Sequence, residues 1–232
     1  PISSILLKAQ VIASKLGNDD FAAWIKNEQC GYPNAENLPE YRIVPASVKA
    51  DVSIPFCGLY QGISIPVDAI GNDVVVDCMS HVRVVQSLVE LEMLCDNSGK
   101  GSMIIQLPSF AYSQIAGVVT GNVERAYQES SSSSIRNVVN VFKSKLLEFF
   151  LQLNQELDMG LDFSTIESAQ KISQMMNNTY NINAAIANIG DGTVNAPNVT
   201  NIIGDNNMVS ASSVSELKNI LREIKSLLDT QN

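Results

Sequence analysis

The chain is poor in the residues that most enzymatic and nucleic-acid chemistry requires. Among 232 residues there is one histidine, His81, and one tryptophan, Trp24. Every histidine-dependent scheme therefore has to pass through His81. Cys78 lies three residues earlier and would share a helix face with it, which allows a Cys/His nucleophile pair. The apolar residues around both favour a structural or surface histidine, and no further ligands accompany them for a zinc site. Cations are also few, with 15 Lys and Arg against 24 Asp and Glu, a net charge of −9. They are scattered singly, so no basic face offers itself to a phosphate backbone, and nucleic acid is not an expected partner.

Long apolar runs are missing as well. No stretch approaches the ~20 uncharged residues needed to span a bilayer, and the first residues show no basic region followed by a cleavage site. The expectation is a cytoplasmic protein without a membrane partner. Four cysteines, Cys30, Cys57, Cys78 and Cys95, form no CxxC and read as free buried thiols in a reducing compartment.

Nucleotide and hydrolase signatures are absent. Neither a Walker A loop nor GxGxxG follows a strand-like run, and "DNSGKGSM" around Lys100 lacks phosphate-cradling spacing. Glu90 with Glu92, and Glu156 with Asp158, stand two apart, which puts each pair on different helix faces. No catalytic residue, cofactor or metal site is expected from these patterns.

What the chain has is helical periodicity. Ile2, Ile5, Leu6, Ala9, Ile12, Ala13 and Leu16 make one apolar face that Gly17 closes. Asn18 or Asp19 then caps a second helix carrying Phe21, Trp24 and Ile25, which Gly31 and Pro33 end. From Tyr41 to Ile70 β-branched residues mix with Pro and Gly, the pattern of short strands and turns. The run from Asp77 to Cys95 reads as a helix, with "VVV" before it open to a strand reading. "GSMIIQLP" is a candidate strand and "SFAYSQIAGVV" a short helix. Ser130 to Ser134 resemble a linker whose last serine can cap the next helix. That helix is the strongest in the chain: Ile135, Val138, Val139, Phe142, Leu146, Phe149, Phe150, Leu153 and Leu157 form one stripe, with a polar side too sparse in cations for a membrane surface.

Composition shifts near residue 160. After another helix, ten asparagines fall between Asn177 and Asn207, where only Asp191 and Asp205 are charged. "IGDGTVNA" at Ile189 and "IGDNNMVSA" at Ile203 repeat one triplet. One Asp per copy is too few for a calcium array. Instead Ile189, Val194, Val199, Ile203 and Val209 among Gly and Asn suit β-arcs, which two copies cannot bury alone but stacked chains can. Beyond them Val214, Leu217, Leu221, Ile224 and Leu228 step by three and four residues, an a/d seam that needs a partner surface, either the protein's own core or the same helix of other subunits. The expected fold is mainly α with a small β/loop-rich insertion. The expected division is 1–160 mainly helical, 161–179 a connecting helix, 180–211 an Asn/Gly-rich β-arc repeat and 212–232 a short coiled-coil helix.

One stretch carries a family resemblance. "WIKNEQCGYPNAENLPEYR", with Trp24, Glu28, Gly31, Tyr32, Pro39, Tyr41 and Arg42, resembles the signature of the AbiTii family, the abortive-infection domain of bacterial anti-phage systems. The family pattern runs W, three residues, E-L-x-G-Y, then P-x-Y-R; this chain has Gln29 where the family usually has Leu. The resemblance fades through the long helix ending near Leu157 and supplies no catalytic residue. It implies a role in defence against phage.

Two uses of the motif follow. As scaffold, Trp24 and Tyr32 pack the hairpin while Glu28 pairs with Arg42. As a site, Glu28, Tyr32 and Arg42 form a recognition or catalytic cluster. The leading expectation is a non-enzymatic defence protein that self-associates through its C-terminal repeat and helix, as a homo-oligomer or filament. The alternatives are a toxic hydrolase or nuclease centred near Glu28/Tyr32/Arg42, and a sensor of a phage-derived trigger, or of a nucleotide, whose tail couples binding to assembly; a host defence partner is also open.

Overall fold

Apolar residues at three- and four-residue spacing produce the helices of the first of two units. The computed structural model describes residues 2–36, 38–97, 102–159, 166–180, 218–224 and 226–227. One unit comprises Pro1–Gln29 with Lys143–Asn232, the other Cys30–Phe142. The second unit is thus continuous in sequence, and the first is made of the segments on either side of it.

In the first unit α1 (Ile2–Leu16) buries Ile2, Ile5, Leu6, Ala9, Ile12 and Ala13, the face its spacing predicts. Gly17 takes φ 60, ending the helix where a side chain would be strained. Asn18 Oδ1 then accepts from the Phe21 amide at 2.8 Å, capping α2 (Asp19–Cys30), whose first turn carries Asp19 and Asp20 toward the positive end of the helix dipole. Phe21 stacks on Trp24 at 6.2 Å between centroids and meets Phe149 at 4.8 Å and Phe150 at 6.3 Å. Such ring pairs contribute about 0.5–1.5 kcal/mol each beyond burial. Phe149 and Phe150 belong to α6 (Ser132–Asp158), which continues from the second unit into the first. All nine residues of its predicted stripe, Ile135 through Leu157, are buried. The connecting helix, α7 (Ile166–Tyr180), buries Ile172, Met175 and Met176. Residues 218–224 form a further helix segment.

The second unit is built on a sheet. β2 (Ser47–Ile54), β3 (Gly58–Ser64), β5 (Ser102–Gln106) and β6 (Asn122–Ser131) form an antiparallel sheet in the order β3-β2-β6-β5. β2 alternates strictly: Val48, Ala50 and Val52 face a core completed by Ala126, Leu107, Met79, Ala111 and Ile115. Its opposite face is polar, with Lys49 paired to Glu129. Met79 comes from α3 (Asp73–Ser80), and Ala111 and Ile115 from α5 (Ser109–Ala116). A separate pair joins β1 (Ile43–Pro45) to β4 (His81–Arg83), with Val44 opposite Val82.

Three expectations change here. The run from Asp77 to Cys95 is not one helix: α3 already includes the three valines, because Asn72 caps it through the Val75 amide, and it stops at Ser80 where His81–Arg83 pairs with β1. A new helix, α4 (Leu88–Asn97), starts behind Ser87. The serine run is no linker. Ser130 and Ser131 end β6, Ser132 to Ser134 begin α6, and the hydroxyl accepting the Ser134 amide at 3.1 Å is that of Ser131. Of the four free thiols only Cys95 is buried; Cys30 ends α2, Cys57 lies in the β2–β3 turn and Cys78 is on the solvent side of α3. No helix among the described residues is long and apolar enough to cross a membrane.

The start of α4 is a reciprocal cap. The Ser87 amide and hydroxyl both donate to Glu90 Oε2 at 2.9 Å, while the Glu90 amide donates to Ser87 Oγ at 3.3 Å. The bond from the Ser87 amide, then that from its hydroxyl, holds the Glu90 carboxyl below its ordinary value. A carboxylate lowered on folding stabilises the native state above its unfolded pKa, and this contribution is lost as pH falls through the folded value. Glu90→Ala is therefore expected to lower the melting temperature near neutrality, with the gap to wild type closing in acid; a gap independent of pH in thermal melts would refute the cap.

Candidate functional site

The motif from Trp24 to Arg42 divides between the two units. Trp24 and Glu28 lie on the buried face of α2, at 3 % and 0 % exposure. Trp24 belongs to the ring cluster around Phe21. Gly31, Tyr32, Pro39, Tyr41 and Arg42 belong to the second unit. There the turn after α2, the 3-10 turn Glu40–Arg42 and the segment after β4 converge.

Gly31 has φ 87, and a Cβ placed on it would lie 2.9 Å from the Val85 carbonyl oxygen. Only glycine brings the main chain that close, and the next amide, of Tyr32, donates to the same oxygen at 2.8 Å. The Tyr32 ring then lies under the Arg42 guanidinium, 4.7 Å from Cζ to centroid. Arg42 is wholly buried. Its Nη1 donates to the Val84 carbonyl at 2.9 Å and to the Gln86 carbonyl at 2.7 Å. Its own main chain donates to Pro39 O and accepts from the Val84 amide, both at 2.9 Å. Pro39 is buried and Tyr41 half-buried. The structure thus brings Gly31, Tyr32, Pro39 and Arg42 together around residues 84–86. Glu28 belongs to the other unit.

Chemically this is a brace. Two carbonyl oxygens of the segment after β4 receive their donors from one nitrogen of this planar cation, and the tyrosine face supplies a further attraction.

His81 also finds a local role. Its Nδ1 stands 3.2 Å from Asp77 Oδ1 and 3.1 Å from the Asp77 carbonyl oxygen. Because α3 ends at Ser80, His81 and Cys78 do not share a helix, and the face on which a nucleophile pair would form does not exist. Among the described residues no group of three or more His, Cys, Asp or Glu is placed to hold a metal.

Two contributors to this region escaped the sequence reading. Val84 to Gln86 accept the brace, and the Ser87-x-x-Glu90 capping pattern marks the chain break that exposes their carbonyls. Gln128, buried on β6, donates from Nε2 to the Cys78, Met79 and His81 carbonyls at 2.8–3.0 Å, closing the end of α3. No local pattern announces it, since its partners lie about fifty positions earlier.

A family model, AbiTii, matches residues 1–179, from α1 through the body of α7. The chain belongs to the AbiTii family. Membership connects it with abortive infection, and the match extends past residue 160 to take in the connecting helix. No curated protein and no solved structure matches it.

Of the ten positions expected at a subunit interface, Leu221 and Ile224 are described. Both are buried within the single chain, at 4 % and 0 % exposure. Ile189, Val194, Val199, Ile203, Val209, Val214, Leu217 and Leu228 lie outside the described residues.

Removing the brace should be costly, because it leaves two carbonyls and an aromatic face without their cation. In urea unfolding, Arg42→Leu is expected to lose roughly 3 kcal/mol or more. Arg42→Lys should recover little of it, lacking the planar group that lies over the Tyr32 ring while one of its nitrogens meets both carbonyls. Stability within a few tenths of a kcal/mol of wild type for either variant would contradict a structural role.

Proposed function

We propose that this AbiTii protein acts in abortive infection as a self-associating scaffold or sensor, without catalysing a reaction. The observation that carries the reading is the use of the motif's cation: Arg42 is buried and bonded to main-chain carbonyls, so the motif of the family supports the fold of this region. The action is then left to the parts outside that motif. The Asn/Gly-rich repeat with Ile189, Val194, Val199, Ile203 and Val209 is the element whose composition suits a stack shared between chains. In this account a phage-derived trigger or a host defence partner raises the local concentration of the protein in the cytoplasm, and assembly follows.

The net charge of −9 fits a protein that binds neither nucleic acid nor anionic membrane through a general basic face. The alternative of a hydrolase or nuclease at Glu28, Tyr32 and Arg42 would require solvent to reach residues that are at most 9 % exposed.

A phage challenge of bacteria expressing the full chain tests the proposal. Wild type should lower phage yield. Ile189→Asp combined with Ile203→Asp should abolish both oligomers and protection while the melting of the helical domain stays nearly intact. His81→Ala should protect like wild type. Protection that survives the repeat double variant, or that vanishes with His81→Ala in a normally assembled protein, would overturn it.

A further inference from the structure

Two of the a/d positions that the sequence offers to other subunits, Leu221 and Ile224, are already in use. Leu221 and Ile224 are covered by the chain's own first unit. Two ion pairs hold the same segment from either side: Lys218 Nζ meets Asp158 Oδ1 of α6 at 2.6 Å, and Lys8 of α1 pairs with Glu223. The docking groove therefore carries charges complementary to this segment.

The fit is incomplete. A half-open cavity of about 270 Å³ remains beside the docked helix, lined by Leu147, Phe150, Leu151 and Asn154 of α6 and by Leu221 and Arg222. Leu151 is 48 % exposed. Unfilled apolar lining forfeits contacts, and exposed ion pairs add little, so neither this cavity wall nor the two ion pairs hold the segment tightly.

Release need not leave the groove empty. Between Tyr180, the last residue of α7, and Lys218 the chain can span up to about 120 Å. That reach lets the segment of one chain enter the groove of another. Every contact just described would then form between chains, with Leu221, Ile224, Lys218 and Glu223 coming from the second copy.

We propose that the α1/α6 groove is an exchange site for the C-terminal helix of a second copy of this chain, so that assembly proceeds by swapping the segment 218–224. Open and closed forms make the same contacts, so the balance between them is set by the concentration of neighbouring chains. A protein kept dispersed closes on itself; one gathered by a trigger links to its neighbours. The proposal rests on the self-association reading and supplies the surface through which it works.

Cross-linking of mixed full-length chains tests it. In a background with Cys30, Cys57, Cys78 and Cys95 replaced by serine, one chain carries Asp158→Cys and the other Lys218→Cys, and the mixture is treated with a short bis-maleimide. Exchange predicts a covalent dimer between the two chains, lost when Ile224→Asp is added to the Lys218→Cys chain. A dimer that persists with Ile224→Asp would come from collision and would overturn the proposal. So would an absent dimer, if a chain carrying both cysteines cross-links only to itself. Sedimentation of wild type run alongside separates the two ideas: oligomers without exchanged product refute the swap alone, whereas a monomer refutes self-association too.

Discussion

A buried guanidinium is the constraint around which the second unit is arranged. Arg42 can be shut from water only if polar groups of the protein replace its hydration, and the carbonyl oxygens of Val84 and Gln86 are among those that do so. For them to be available, the chain after β4 has to leave both strand and helix for four residues, which the cap at Ser87 and Glu90 allows by delaying the start of α4. For Tyr32 to lie against the cation, the turn after α2 has to approach Val85 closely, which the glycine at position 31 allows. Removing any one of these conditions leaves the others without their reason. Gly31, Tyr32 and Arg42 of the motif are thus mutually dependent packing conditions.

The first unit depends on apolar contact instead. The rings of Phe21, Trp24, Phe149 and Phe150 join α2 to α6, and buried aliphatics line α1. The same unit covers Leu221 and Ile224, so the two described positions of a seam with coiled-coil spacing are buried without a second chain. An a/d seam therefore says that a partner surface exists but not whose it is. In our account both answers hold at different concentrations, and the groove is the common element.

How much was legible in the sequence follows from how local each signal is. The helices α1, α2 and α6 were readable because their apolar spacing, Gly17 and the Asn18 cap act within a few residues. β2 and β3 fell within the predicted strand region, whereas β6 did not: "NVERAYQESS" has strand character only because it pairs with β2 and β5. The serine run misled for the same reason, since pairing draws Ser130 and Ser131 into a strand. His81 to Arg83 were read as helix because their pairing with Ile43 to Pro45 is invisible to local periodicity. At the motif, Trp24, Tyr32 and Arg42 stood out by type and spacing. Their acceptors at 84–86 did not, because a carbonyl oxygen leaves no mark on residue identity.

The central claim is that this protein works by association, and it is tested most directly by sedimentation velocity of the unmodified full chain over a concentration series extending through the micromolar range. The account predicts a mass that climbs with concentration from monomer to oligomer. A single monomeric boundary at every concentration would contradict it.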